Sequence, residues 1–276
     1  MKLSVILVNH NSSNELGLAL TSLVKAAEEI SHEIIVVDNA SSDRSLQMLS
    51  SQFLTVKVIS NAKDAGLSKA NNQAMEMAKG EYILLISPDT FSRMDSLEKM
   101  IDFMEQHITA GGLSVRMVDR QGDYMPGSKH SLHPIWASFL KFMGMASYFP
   151  KSFSVHRMLD WVEEFETGEV DTLNESCMLL RRSVLRKTGL FDERFFSFGH
   201  NIDLSYRIRQ QGFKNYYFSK TYIIQLPGKT VSKFSWDHFR HFYGAMFIFA
   251  AKYLLKLPVL NIKNIGELYP SSYEIE

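Results

Sequence analysis

Residues 33–43 read EIIVVDNASSD, and residues 3–11 read LSVILVNHN. In each stretch an apolar, largely β-branched run leads directly into small polar residues, which is typical of a buried strand that ends in a polar loop. Residues 80–90, GEYILLISPDT, repeat this arrangement. Apolar residues at helical spacing lie between the strands, and such alternation is typical of parallel strands joined by right-handed crossovers. We therefore expect an α/β fold with a mostly parallel central sheet and helices on both faces.

The helices between these strands are indicated by their start and stop signals. Ser12 and Glu15 form a capping box ahead of apolar residues at helical spacing. Ser68 begins another helix, which Gly80 ends. Later in the chain the sequence predicts a strand at 113–118, short strands at 216–218 and 222–224, and helices over 201–211 and 234–257.

Polar side chains follow three of the predicted strands. Asn9 and Asn11 come after the first strand, Asp38 after the second and Asp89 after the fourth. Asn and Asp are also good loop residues, which by itself explains any one of these positions. In open parallel sheets, however, ligands bind beyond the carboxyl ends of the strands. The three ends together predict a site for a polar ligand.

The composition excludes several classes of protein. The 276 residues carry a formal net charge of +0, so no global attraction to nucleic acid is expected. The single cysteine, Cys177, rules out an internal disulfide and fits a reducing compartment. The apolar run at 3–8 is too short for a secretory leader, and the run at 245–251 stops at Lys252. We expect a cytoplasmic protein with no membrane-spanning helix.

Two segments depart from the regular alternation. Residues 124–168 are rich in aromatic residues, Ser, His and Lys, and are expected to pass over the site or to face an acceptor or a membrane. The aromatic tail after residue 233 is expected to pack on the sheet, with contact to the inner face of a membrane as the alternative. We predict a domain over 1–232, with a nucleotide-binding half (1–105) and an acceptor half (106–232), and a helical extension over 233–276.

The order of the motifs resembles that of family-2 glycosyltransferases, and of bacterial rhamnosyltransferase-like members that build surface polysaccharide. The resemblance covers roughly residues 3–235 and implies the GT-A fold of nucleotide-diphospho-sugar transferases. It rests on the segments 4–12, 33–43, 61–72, 80–90, 189–193 and 203–207.

The resemblance also implies roles for individual residues. Asp38 would accept a hydrogen bond from the pyrimidine of a UDP- or dTDP-sugar, and Asp89 would ligate Mg²⁺ or Mn²⁺ at the diphosphate, as suits a hard cation. The sugar would pass with inversion to a glycan or lipid-linked acceptor, a reaction that needs a base for the acceptor hydroxyl. The other positions implied for the donor site are Asn9, Asn11, Asp43, Asn71 and Asn72.

Four positions differ from the family pattern. Asn201 stands where the family has its Asp base, and a neutral amide has no useful proton affinity. Gln225 replaces a histidine that is often a metal ligand. Ser87 replaces an Asn, and residues 174–176 (Asn-Glu-Ser) replace a small turn that contains Gly.

These differences leave alternatives open. In one, the chain is an active hexosyl- or rhamnosyltransferase whose base has moved to His200, Asp203 or Glu175. In another, it is an impaired relative that binds a nucleotide sugar, a glycan or a partner protein without turnover. An unrelated α/β enzyme has no support, because neither a G-x-G-x-x-G after the first strand nor a P-loop occurs.

Overall fold

The computed structural model describes residues 1–129, 132–153, 164–226 and 236–254. Within them, nine strands form one mixed sheet. The strands are β1 (Leu3–Asn9), β2 (His32–Asn39), β3 (Lys57–Asn61), β4 (Tyr82–Ile86), β5 (Thr90–Ser92), β6 (Ala110–Val118), β7 (Gly168–Val170), β8 (Cys177–Arg181) and β9 (Lys214–Gln225). Their order across the sheet is β3-β2-β1-β4-β8-β6-β9-β5, and β7 also pairs with β9.

Eight α-helices lie in the same part of the chain. They are α1 (Ser13–Ala26), α2 (Ser45–Gln52), α3 (Leu67–Met77), α4 (Ser96–Gln106), α5 (Pro134–Phe142), α6 (Arg182–Thr188), α7 (His200–Gln210) and α8 (Trp236–Leu254). None of these described helices is long and apolar enough to cross a membrane.

The parallel half of the sheet is built on β1. Val5 pairs with Ile34 of β2 on one side and with Leu84 of β4 on the other. Alternate side chains of these strands enter different cores, one shared with α1 and α4, the other with α3, α6 and α7. The strands are therefore buried on both faces, which explains their continuous apolar sequence. The predicted α/β class with helices on both faces is confirmed.

The second half of the sheet mixes directions, since β8 runs antiparallel to both β4 and β6. Two short strands were predicted at 216–218 and 222–224, but the structure joins them into the single strand β9. A register shift opposite Val115 and Arg116 absorbs the polar residues between them. Ser219 is buried there and donates its hydroxyl hydrogen to the Phe165 carbonyl at 2.7 Å, so a polar residue is accommodated inside the strand.

A third core joins the segment at 124–168 to the aromatic tail after residue 233. Trp136 and Leu140 of α5 pack with Phe242 and Phe249 of α8. The segment at 124–168 thus contains a regular helix, which Pro134 starts at its first position. Over 236–254 the tail packs as a helix against α5 and α7, whereas packing on the sheet was expected. The predicted domain boundary at 232–233 and the helix residues predicted beyond 254 lie outside the described residues.

A buried carboxylate ties α7 to α8. Asp203 is fully buried, and its oxygens accept from Arg207 Nε at 2.8 Å, Lys252 Nζ at 2.6 Å and Tyr253 OH at 2.8 Å. Lys252 also pairs with Asp192 at 2.9 Å. Because two cations and a hydroxyl group donate to it, the buried negative charge of Asp203 is compensated, as a buried carboxylate requires.

We expect Asp203→Asn to lower the free energy of unfolding by about 3 kcal/mol, because removing one partner leaves buried cations uncompensated. Thermal and urea denaturation would measure the change. Asp102→Asn, at an exposed position of α4, is the matched control and should leave stability within about 0.5 kcal/mol of the parent. A stability of Asp203→Asn equal to that of the control would contradict the structural role of this carboxylate.

Candidate functional site

The ends of β1 and β2 are joined by a hydrogen-bonded network. Asn9 pairs in register with Asp38, and its Nδ2 donates to Asp38 Oδ1 and to Ser41 Oγ, both at 3.0 Å. The backbone N–H of Ser41 donates to the second carboxylate oxygen of Asp38 at 3.1 Å. Asn9 and Asp38 are both buried. Sequence reasoning missed Ser41, whose only signal is its place in the polar run after β2.

A second set of bonds holds the two loops together further out. The Asn11 side chain accepts from the backbone N–H of Ser42 at 2.7 Å, and Asp43 accepts from the backbone N–H of Ser13 at 2.9 Å. Asn11 has a φ of 53° and Ala40 a φ of 62°. Ala40 is strained in this region, and the turn it makes brings Ser41 back toward β1. The structure thus brings Asn9, Asn11, Asp38 and Asp43 together, as expected.

Asn71 and Asn72 lie on α3 and differ in their surroundings. Asn71 lines a cavity beyond the sheet, and its Nδ2 donates to the Leu67 carbonyl of the same helix at 2.9 Å. Asn72 makes two bonds with the backbone of Phe191, at 2.9 and 3.0 Å. The Asn72 side chain therefore fixes the loop after α6, whereas Asn71 faces the cavity.

Asp89 follows β4 and faces the end of β9. Gln225 Nε2 donates to Asp89 Oδ2 at 3.3 Å and to Ser176 Oγ at 3.1 Å. The other carboxylate oxygen, Oδ1, is buried and accepts no hydrogen bond from the described residues. A buried anionic oxygen without a donor suits a cation, so Asp89 fits a divalent ion whose other ligands are phosphate oxygens.

The described residues contain no cluster of side chains that could hold a metal ion by themselves. Across residues 1–129, 132–153, 164–226 and 236–254, three or more His, Cys, Asp or Glu side chains nowhere converge on one point. Any divalent ion at Asp89 would therefore depend on the ligand's own oxygens, as Mg²⁺ sites with few protein ligands commonly do.

A cavity of about 130 Å³ opens beyond the carboxyl ends of β1 and β4. This donor-side cavity lies where ligands bind in sheets of this kind. Ser87 and Pro88 contribute from the loop that carries Asp89, and Asn71 contributes from α3. Its described lining is Val8, Leu67, Asn71, Leu85, Ile86, Ser87, Pro88, Glu175, Ser176, Met178, Phe191 and His200.

A larger cavity of about 440 Å³ lies between α5, α7 and α8. This acceptor-side cavity has aromatic walls made by Trp136 and Phe242 and polar groups from Asn174 and Asn201. Its described lining is Gly127, Leu132, His133, Pro134, Trp136, Asn174, Glu175, Ser176, Phe198, Gly199, Asn201, Ile202 and Phe242. Sequence reasoning missed Trp136, although Pro134 followed by apolar residues at helical spacing was a usable signal.

The candidates for a base have very different surroundings. Asp203 is held by Arg207, Lys252 and Tyr253 and is absent from the described lining of either cavity. This geometry favours a structural role for Asp203 over the catalytic one suggested by the sequence. His200 lines the donor-side cavity but is buried against the Phe191 ring. Burial lowers the pKa of His200 to about 4, so its imidazole is neutral and weakly basic at pH 7.

Glu175 differs from Asp203 and His200 in its surroundings. Its side chain is exposed to solvent and lines both cavities. Desolvation of the carboxyl group by the surrounding cleft walls raises the pKa of Glu175 to about 7. Glu175, one of the three positions that the sequence analysis considered for a displaced base, thus carries a carboxylate in the lining of both cavities.

The solved structures of known proteins confirm the fold. A Staphylococcus aureus TarS fragment in complex with UDP-GlcNAc superposes with a TM-score of 0.65 at 21% identity, covering 91% of this chain and 66% of that one. GalNAc-T7 with UDP, GalNAc and Mn²⁺ superposes with a TM-score of 0.63 at 15% identity, covering 97% of this chain and 54% of that one. The predicted GT-A fold is confirmed.

Curated proteins are similar in sequence as well. An N-acetylglucosaminyl-diphospho-decaprenol L-rhamnosyltransferase of Mycobacterium tuberculosis is 24% identical over 264 residues, covering 90% of this chain and 84% of that protein. TarS of S. aureus, a poly(ribitol-phosphate) beta-N-acetylglucosaminyltransferase, is 31% identical over 111 residues, which are 39% of this chain and 19% of TarS.

The sequence also matches a family model over residues 4–162, which is more than half of the chain. The matched region contains the ends of β1, β2 and β4, together with Asn9, Asp38 and Asp89. With the GT-A fold, this match agrees with the resemblance seen in the motifs. The chain belongs to glycosyl transferase family 2.

Proposed function

We propose that this protein transfers a sugar, with inversion, from a UDP- or dTDP-sugar to a glycan or lipid-linked acceptor. The observation that carries the proposal is the paired Asn9–Asp38 network beside the donor-side cavity. Each Asp38 oxygen accepts one bond within the protein, so lone pairs remain for an N–H of a pyrimidine ring. Asn11 and Asp43 would frame the base and ribose, and Asn71 would face the sugar. Asn72 would act by holding the loop at Phe191.

Asp89 would hold a Mg²⁺ or Mn²⁺ ion through its unpaired oxygen. When bound, such an ion neutralises the charge that develops on the leaving nucleoside diphosphate. Gln225 would orient Asp89 by the amide bond to its second oxygen. This arrangement is consistent with a cation held mainly by the donor's phosphates.

The acceptor would occupy the acceptor-side cavity, in the half of the domain predicted over 106–232. Its walls combine Trp136 and Phe242 with the amides of Asn174 and Asn201, and sugar rings bind well where apolar faces adjoin a few polar groups. The similar mycobacterial protein acts, by its name, on a diphospho-decaprenol acceptor. We place the present chain in the synthesis of surface polysaccharide on this basis.

An exposed aromatic face lies next to the acceptor-side cavity. Phe142 and Phe247 are 87% and 70% exposed, and a ring contact of 6.3 Å between Phe139 and Phe247 joins the two helices. Exposed Lys141 and Arg240 flank them. The aromatic face consists of Ile135, Phe139 and Phe142 on α5 with Trp236, Phe239 and Phe247 on α8. Aromatic and basic side chains together favour an anionic membrane interface, so we propose peripheral contact with the inner face of the membrane by a cytoplasmic enzyme.

One observation favours the alternative of a binding protein without turnover. Asn201 donates to the Leu173 carbonyl at 2.9 Å and is buried, so the position of the family's base is filled by an amide that serves the fold. A chain that binds nucleotide sugar and releases no product would fit this alternative.

We expect isothermal titration to show Mn²⁺-dependent binding of UDP or dTDP, and Asp89→Asn to abolish the gain from the metal. The neutral amide removes the anionic ligand, and we expect the affinity with Mn²⁺ to fall about tenfold or more. Asp102→Asn is the matched control, because it makes the same change at an exposed position of α4.

Two results would oppose this assignment. Equal Mn²⁺-dependent affinity of Asp89→Asn and the control would remove Asp89 from the metal site. If neither nucleotide binds the parent protein, with or without Mn²⁺, the donor proposal itself is wrong. Release of free sugar from a UDP- or dTDP-sugar in the same sample would exclude the silent binding protein.

We expect the double variant Phe142→Ser/Phe247→Ser to bind vesicles that contain anionic phospholipid roughly tenfold or more weakly than the parent, because each buried Phe contributes on the order of 1.5 kcal/mol. Co-sedimentation with phosphatidylglycerol vesicles would measure this. Leu54→Ser/Ile108→Ser is the control, since these side chains are 82% and 79% exposed outside the aromatic face. Equal binding of both double variants would exclude the aromatic face as the contact.

A further inference from the structure

Most carboxylates near the cleft are already committed to other groups of the protein. Asp38 is bonded to Asn9 and Ser41, and Asp203 to two cations and a phenol. Asp192 is paired with Arg194 and Lys252. None of these three side chains is in the described lining of either cavity, so none is placed to reach a hydroxyl bound there.

Glu175 is the exception within the described lining of the two cavities. It lies in both linings, and no described side chain or backbone N–H donates to its carboxylate. Glu175 therefore stands between the place proposed for the donor sugar and the place proposed for the acceptor. A group that removes the acceptor's proton during transfer must lie at such a boundary, because it has to reach the attacking oxygen.

The backbone on either side of Glu175 is held in place. The Asn174 N–H donates to Ser114 Oγ at 2.7 Å, and Asn174 Nδ2 donates to the Gly127 carbonyl at 2.9 Å. Ser176 accepts from Gln225, and its carbonyl accepts from the Ser87 N–H at 2.9 Å. These bonds join the turn to β6, to β9 and to the loop that carries Asp89. The backbone that carries Glu175 is thus held in place, while its carboxylate is left to bond a ligand, and a held backbone favours proton transfer.

We propose that Glu175 is the catalytic base of the transfer reaction, in place of a carboxylate on α7. The proposal rests on the function proposed above. An acceptor hydroxyl would give its proton to the Glu175 carboxylate while its oxygen forms a bond to the anomeric carbon. The bond from that carbon to the diphosphate oxygen would break, and the nucleoside diphosphate would leave with the electron pair. The Glu175 acid would then release its proton to water.

The other titratable groups at the cleft fit this role less well. His200 is buried against Phe191. His133 lines only the acceptor-side cavity, and its Nδ1 accepts from the Ile135 N–H at 3.2 Å as the cap of α5. Asp89 has one oxygen bonded to Gln225 and the other suited to a cation. Glu175 alone among them is exposed, anionic when deprotonated and shared by both cavities.

The protonation behaviour of Glu175 supports the assignment. Removal of solvent by the cleft walls raises its pKa to about 7, close to the value at which a general base is most efficient near neutral pH. The base acts in its ionised form, so kcat/KM should be constant above pH 7 and fall about tenfold for each pH unit below it.

The test uses the Mn²⁺-loaded protein with UDP-GlcNAc and dTDP-rhamnose as donors and water as the acceptor, and measures release of the nucleoside diphosphate. We expect Glu175→Gln to lower kcat/KM at least about 100-fold, which is the usual contribution of a general base. The decrease of kcat/KM below pH 7 should be absent in this variant. UDP affinity and Tm should match those of the parent, because the isosteric side chain is exposed. Glu175→Asp should retain the acidic limb at a reduced rate, and Glu98→Gln on α4 is the matched control.

The outcomes separate this proposal from the proposed function. Failure of the parent to bind either UDP or dTDP would remove the function itself. If the nucleotide binds and Glu175→Gln has the same rate and pH profile as Glu98→Gln, only the assignment of Glu175 as the base is overturned. Binding by the parent without hydrolysis of either donor would also overturn it. Titration of the Glu175 carboxyl by ¹³C NMR with Mg²⁺ and UDP gives a second readout, in which a pKa near the ordinary value of about 4.3 would count against the assignment.

Discussion

The register of β1 between β2 and β4 is the constraint on which the rest of the molecule depends. Both faces of these strands are covered by helices, so their side chains are apolar and polar groups are confined to the strand ends. Because the strands are parallel, their carboxyl ends meet at one edge of the sheet. Asn9 lies opposite Asp38 there, and a shift of one strand by one residue would turn its side chains to the other face and separate this pair. The grouping of polar residues at this edge is therefore a consequence of strand pairing.

The acidic residues differ in how far the protein compensates their charge. Asp203 joins two helices because Arg207, Lys252 and Tyr253 compensate its burial. Glu175 has no such partners among the described residues and is exposed in the lining of the cavities. The same side-chain chemistry thus stabilises the fold in one place and is free to react in another. Asp89 is intermediate, with one oxygen bonded to Gln225 and the other without a donor.

The sequence was a good guide to the parallel half and a weaker guide to the rest. Strand runs such as residues 3–8 act locally, so periodicity predicted them. The predicted caps were wrong in detail: Ser12 precedes α1 without a side-chain cap bond, and α3 begins after Gly66, while the Ser68 hydroxyl donates to the Phe195 carbonyl. The long strand β9 was divided in two, because the bonds that accommodate the polar Ser219 inside the strand come from Phe165 and Thr167, which only folding brings beside it. Helix α5 was missed, because its buried side chains Trp136 and Leu140 pack against α8, which is about a hundred residues away in the chain.

The sequence by itself determined the α/β class, the family and the group of polar residues at the strand ends, since each follows from local patterns and their order along the chain. Only the tertiary structure decided which carboxylates are tied to cations and which face the cleft. Asp203 and Glu175 are both plain acidic residues in the sequence, and their difference arises from Lys252, Tyr253 and two cavity walls that folding brings to them. Proton affinity depends on such neighbours and on burial, which are properties of the folded chain.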